Sequence, residues 1–288
     1  MKSSKNTFYL LLALMLSIVS CRPKSIDIEL EQLDQKPVIW SQIIPGNIVV
    51  FYFSRSFSSL NENQDDTGSE DFLNQILVEN GSLTITHNGN TEDLLQLSSG
   101  IWASDGISTP LITEDFYTIT GIDELLEEEI SATTQLLPTI TMSDLFDIEI
   151  IEGDSASMLR IEYHINDVPG NNWYLVNAYS GNLDNFGNPV DTTANSTTEV
   201  AWQITTDQTY DTFDISNTIT IFDYQNDTII MTLSNITEDY YNYLALRERG
   251  GSIFNQLTAE PINYPSNIEN GYGYFNLVIP DFKVVIVE

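Results

Sequence analysis

Residues 47–54, NIVVFYFS, carry large apolar side chains on both of their alternating sets, Ile48/Val50/Tyr52 and Val49/Phe51/Phe53. Successive side chains of a strand point to opposite faces, so this run reads as a central strand covered on both sides. Residues 158–166 alternate instead, with Leu159, Ile161, Tyr163 and Ile165 set against Arg160, Glu162, His164 and Asn166. That is the pattern of a half-buried strand. Further β-prone runs lie at 82–87, 115–121, 146–151, 173–179, 200–205, 218–222 and 228–233. Asn88-Gly89 predicts a hairpin after the first of these, because the pair supplies the two positive φ angles of a type I′ turn. Short strands punctuated by turn residues predict sandwiches rather than βαβ units.

One helix is predicted, over 238–249. Thr237 is a good N-cap, Glu238 and Asp239 fall where the helix dipole favours negative charge, and Arg247 and Arg249 fall in the last turn before Gly250-Gly251. Tyr240, Tyr241, Leu244 and Ala245 share a face that is expected to pack on a sheet. The fold class is therefore all-β, with two β-sandwich-like domains, the first immunoglobulin-like, and one short helix near the C-terminus. Pro138 interrupts the pattern within 135–141, which places an N-terminal domain at 37–138 and a C-terminal β-rich domain at 139–288. Residues 61–71 and 181–198 are polar and read as surface loops, and the first does not complete an EF-hand pattern, having Asn74 where Glu is required.

The chain's one cysteine, Cys21, follows an apolar stretch at 8–15 and a basic start formed by Lys2 and Lys5. Ile18, Val19 and Ser20 before it fit a bacterial lipobox. Residues 1–20 are thus expected to be a lipoprotein signal peptide, too short for a membrane span of ~20 residues, with lipid on Cys21 and a tether at 21–36. Acyl chains contribute ~0.8 kcal/mol per buried methylene, so a multiply acylated Cys21 fixes the protein to a membrane without a second anchor.

The net charge of −32, from 10 basic and 42 acidic side chains, makes nucleic acid an improbable partner and disfavours anionic lipid headgroups. The two histidines, His87 and His164, are expected to be solvent-facing structural residues, and no Ser-nucleophile, P-loop, zinc-protease or dinucleotide motif is present. No cofactor, metal site or catalytic residue is expected. Acid-pair glycoside hydrolysis needs only two carboxylates, which 42 acids cannot discriminate. Trp40, Trp102, Trp173 and Trp202 lie in or beside apolar runs and are expected to pack cores rather than stack on sugars.

The C-terminal part carries an ordered series of short pieces: Asp239-Tyr240-Tyr241-Asn242-Tyr243-Leu244, Gly250-Gly251-Ser252-Ile253-Phe254, Glu260-Pro261-Ile262-Asn263, Ser266-Asn267-Ile268 and Gly271-Tyr272-Gly273-Tyr274-Phe275. With residues 49–56, 81–88 and 171–177 upstream, the series resembles a Bacteroidota family of outer-membrane lipoproteins, the domain-of-unknown-function family 4249. The resemblance implies an outer-membrane accessory or ligand-binding lipoprotein that works with a TonB-dependent receptor in nutrient uptake, on either face of the membrane. It implies no catalytic residues. A structural or adhesive surface lipoprotein is the alternative, and a carboxylate-pair glycosidase the second. The segment 261–275 is expected to pack its aromatics inward.

Overall fold

The computed structural model describes residues 34–44, 48–56, 75–104, 111–152, 157–180, 198–209, 214–222, 228–250 and 264–287. The loop at 61–71, Cys21 and nearly all of the 181–198 loop lie outside these residues. In chain order the strands are β1 (Pro37–Ile44), β2 (Ile48–Arg55), β3 (Gly81–His87), β4 (Asn90–Asp93), β5 (Leu95–Ser98), β6 (Ile101–Ala103), β7 (Phe116–Asp123) and β8 (Glu128–Gln135). They continue as β9 (Thr141–Ile151), β10 (Met158–Asn166), β11 (Trp173–Ser180), β12 (Thr198–Thr206), β13 (Asp214–Phe222) and β14 (Thr228–Ile236). Helix α1 (Glu238–Gly250) follows, then β15 (Tyr272–Tyr274) and β16 (Asp281–Ile286). No helix among the described residues is long and apolar enough to cross a membrane.

The protein is mostly strand, and its sheets form sandwich-like domains within one compact unit, Gln35–Glu288. A five-stranded sheet in the order β15-β1-β2-β6-β5 packs on a four-stranded sheet β4-β3-β7-β8. Their shared core holds Phe51, Phe53, Leu83, Trp102, Tyr117, Ile119, Ile130 and Phe275. A three-stranded sheet β13-β10-β9 and a four-stranded sheet β12-β11-β14-β16 enclose a second core around Leu159, Ile161, Tyr163, Tyr174, Val176, Ile219, Met231 and Leu233. A third cluster, around Ile236, Tyr240, Leu244, Tyr274 and Val278, seats α1 on the outer face of β11 and β12. Thr237 caps that helix as its sequence requires, its hydroxyl accepting from the Tyr240 amide at 3.3 Å.

Most of the sequence-level strands are present, with corrections at particular faces. Asn88 and Gly89 take φ of 48° and 76° in the β3–β4 turn, as a type I′ turn demands. In β10 the four expected inward residues are buried. In β2 one set, Val49, Phe51 and Phe53, is buried, but on the other Val50 is buried while Tyr52 stays 37% exposed. The strand buried on both faces is β14, from Ile229 to Ile236, because the second core covers one side and α1 with the C-terminal segment covers the other. Of the aromatics in the 261–275 segment, Tyr274 and Phe275 point inward while Tyr264 and Tyr272 are exposed.

Three local features hold the first sandwich. Arg55 ends the inward set of β2, and its guanidinium donates twice to Asp123 of β7, Nε to Oδ2 at 2.6 Å and Nη2 to Oδ1 at 2.8 Å. Both side chains are almost fully buried, at 4% and 0% exposed. Asp123 Oδ1 also accepts from the Leu125 amide at 2.9 Å, so the buried charges are paired and hydrogen-bonded rather than isolated. Tyr117 accepts from the Ile112 amide at 2.7 Å and donates to the Ile112 carbonyl at 3.3 Å. This bond to backbone a few residues upstream ties the start of β7 to the turn before it, in the manner of the tyrosine corner of immunoglobulin domains. Burial raises the pKa of this phenol, which keeps it a donor.

The third feature is Gly273, which lets β15 lie parallel beside β1 in the register Val38↔Tyr272, Ile39↔Gly273 and Trp40↔Tyr274. Its φ is +101°, and a Cβ there would lie 1.8 Å from the Ile39 carbonyl oxygen. Only glycine fits that approach.

Two outcomes follow from this packing. Arg55→Met leaves Asp123 buried and unpaired, so urea unfolding should show a loss of about 3–5 kcal/mol. Arg55→Met combined with Asp123→Asn should recover a large share, since Asn still accepts from the Leu125 amide. Gly273→Ala should cost more than about 1 kcal/mol and accelerate amide exchange along the β1–β15 pairing, whereas Gly89→Ala, where the added Cβ meets nothing within 4 Å, should leave that exchange unchanged.

Candidate functional site

The faces of β11, β12 and β14 turned away from the second core form rows across the sheet. Trp202, Asn177 and Thr232 are register partners in one row, and Ile204, Leu175 and Ser234 in the next. Helix α1 covers part of these rows with Tyr240 and Leu244. The part it leaves open meets Trp40 and Ser41 of β1 and the segment Asn276, Val278 and Pro280, and together these enclose a cavity of about 100 Å³. One water needs ~10–15 Å³ of such volume, so the space is that of a small ring or several waters.

Polar groups in this cavity are unevenly satisfied. Ser41 is fully engaged: its hydroxyl donates to the Asn276 carbonyl at 2.8 Å and accepts from the Asn276 amide at 3.1 Å. Those bonds fix the Asn276 backbone, yet its side-chain Oδ1 is buried without a hydrogen-bond partner. Trp40 Nε1 is likewise buried and unpartnered. A buried donor or acceptor left unpaired costs ~1–3 kcal/mol, so two on residues that line one cavity, one of each kind, form an unfilled demand for a partner.

Trp40 is held by its rings. It stacks on its cross-strand partner Tyr52 with centroids 5.3 Å apart, and the Arg247 guanidinium lies over the indole at 5.3 Å. Arg247 is the single charged side chain among the lining residues. The neighbouring phenols stay neutral at physiological pH: burial pushes Tyr274 up to about 12, with the Asp239 charge adding to it, and burial raises Tyr243 as well.

The four tryptophans divide. Trp102 is wholly core, and Trp173 packs against the helix cluster. Trp202 packs there too but also lines the cavity, as does Trp40. Core packing alone therefore accounts for two of the four.

His87 differs from its sequence expectation. It stands opposite Tyr117 in the β3–β7 register and stacks on that ring at 4.4 Å, with Nε2 2.8 Å from Asp115 Oδ2. The side chain is 11% exposed, because the aromatic beneath it and the carboxylate beside it draw it onto the sheet. Neither neighbour is a free nucleophile, as the Tyr117 hydroxyl is engaged with Ile112. His164 is half-buried on β10. At the other end of β11, the Tyr174 hydroxyl donates to Asp167, and burial followed by that carboxylate holds the phenol well above its ordinary pKa. No group of three metal-ligating side chains occurs among the described residues.

No lining residue was marked as a site by the sequence. Trp40 precedes a serine in an apolar run, Arg247 reads as a helix-dipole residue, and Asn276 sits in no motif. They meet only through the β1–β15 pairing and the helix packing.

Comparison with known proteins adds a family. None of the curated proteins matches the chain. A crystal structure of a DUF3823 family protein from Parabacteroides merdae ATCC 43184 is similar at 11% identity, covering 54% of this chain and 78% of the other, with a TM-score of 0.20. A second, from Bacteroides ovatus ATCC 8483, is similar at 10% identity over 55% and 82%, again with a TM-score of 0.20. The family described as domain of unknown function (DUF4249) matches residues 24–278. With residues 24–278 of the 288 matched in this way, the protein belongs to the DUF4249 family.

Proposed function

We propose that this protein is an outer-membrane lipoprotein, anchored through Cys21, that binds a small ligand and works with a TonB-dependent receptor in its uptake. The observation that carries the binding part is the cavity between β1, the β11–β14 sheet and α1, with its unpartnered Trp40 donor and Asn276 acceptor. Small-molecule sites are concave, largely apolar, and carry a few placed polar groups, which this lining matches. The anchoring part is supported by the basic start, apolar stretch and lipobox before Cys21.

A tether over residues 21–36 would give the body reach. Sixteen extended residues span at most about 55 Å at ~3.5 Å each, enough to let a domain of this size sit over a neighbouring barrel. The receptor partnership rests on the family resemblance. Among the lining residues there is no carboxylate, which favours binding over acid-pair hydrolysis at this cavity.

Metabolic labelling with palmitate should mark the full-length protein and leave Cys21→Ser unlabelled and released from membranes. Detergent extracts should then yield the wild-type protein together with a large β-barrel. Membrane retention of the unlabelled variant would remove the anchoring part, and a clean monomer in mild detergent would remove the receptor part.

A further inference from the structure

We infer that the cavity takes one ring of an acidic saccharide, a hexuronic acid unit, with its carboxylate on Arg247. The inference rests on the ligand-binding reading above and names the ligand class for that site. Three independent features of the lining point to it.

The first is the pair of orphaned atoms. Trp40 Nε1 can only donate and Asn276 Oδ1 can only accept, and both belong to residues that line the cavity. A sugar hydroxyl is donor and acceptor at once, so a ring bearing several of them supplies both kinds of partner. An aliphatic ligand would leave both atoms unpaired.

The second is the combination of aromatic faces with short polar side chains. Trp40 and Trp202 line the space together with Asn177, Thr232 and Ser234. Indole rings take the C–H face of a sugar, and amide and hydroxyl groups read its rim. A volume of about 100 Å³ matches one ring entering from the mouth and not a buried oligomer.

The third is charge. The chain has 42 acidic and 10 basic side chains, yet the lining contains one arginine and no acid. Sites for neutral sugars can use carboxylates to bind paired hydroxyls, because a carboxylate accepts from both. A surface so rich in acids that excludes them here, and places a guanidinium at the rim, is arranged for a negative group. The Arg247 guanidinium lies over the Trp40 ring at 5.3 Å, and its planar fork of N–H groups is the donor set that a carboxylate takes bidentately.

Calorimetric titration of the full-length protein in detergent with a galacturonic acid disaccharide, and separately with the neutral galactose disaccharide, tests this. Saturable binding of the acidic sugar is expected, with the neutral one weaker by about tenfold or more, the scale of one charge-assisted hydrogen bond. Arg247→Gln should abolish that difference by weakening only the acidic sugar. Trp40→Phe keeps a ring and removes the Nε1 donor, and should weaken both sugars. Arg160→Gln, in an exposed pair with Glu149 on the separate β13-β10-β9 sheet, serves as the unaffected control, and unchanged thermal melting confirms that each variant is folded. No binding of the acidic disaccharide, equal binding of the two sugars, or an Arg247→Gln protein that binds like Arg160→Gln would overturn the inference. Because the titration uses no receptor, its failure is separable from failure of the receptor partnership, which co-purification reads.

Discussion

The segment from Gly273 to Val287 binds the rest of the molecule together. Phe275 and Leu277 fill the first core, Tyr274 and Val278 the helix cluster, and Val285 and Val287 the second core. One short stretch thus supplies side chains to all three apolar clusters, and alternation along an extended backbone is what lets neighbouring residues serve opposite sides. The arrangement hinges on Gly273, since any side chain there would collide with Ile39 and push the whole segment off β1. Asn276, Val278 and Pro280 of the same segment form one wall of the cavity. The candidate site is therefore a by-product of how the cores are joined, in a place no single sheet could build.

Buried polar groups fall into two kinds here. Arg55 and Asp123 meet through two hydrogen bonds, and the Leu125 amide completes the set, so desolvation of both charges is compensated locally. Ser41 and the Asn276 backbone satisfy one another in the same way. Against this, Trp40 Nε1 and Asn276 Oδ1 have nothing. Among the described residues three buried side-chain atoms lack a partner, Trp40 Nε1, Asn276 Oδ1 and Asp207 Oδ1, and two of the three belong to residues that line the cavity.

Local pattern made much of the fold legible and left the site hidden. The β10 alternation, the Asn88-Gly89 turn and the Thr237 cap are each encoded within a few neighbouring residues, and each appears as read. β8 was not legible, because Glu128, Glu129, Thr133 and Gln135 leave Ile130 as its one large apolar side chain; its strand character comes from pairing along β7. β15 has three residues and a parallel partner more than two hundred positions away, which no local signal encodes. The Arg55–Asp123 pair was equally invisible, since a charge at the end of an apolar run normally marks its exit to solvent. The cavity inherits all of this: its residues come from β1, β11, β12, β14, α1 and the C-terminal segment, and only the tertiary pairing gives them a common address.

Ser41 and Asn276 are separated by 235 positions, and their paired hydrogen bonds close an enormous loop. The entropy of such closure is lost before any contact rewards it, so assembly of this topology is slow compared with that of a helical protein. A ribosome delivers β1 and β2 long before Gly273 exists, and β1 waits without its parallel neighbour β15. Apolar strands held open in this way are the segments that clump between molecules. A chain that stops short of Gly273 lacks side chains from all three apolar clusters at once.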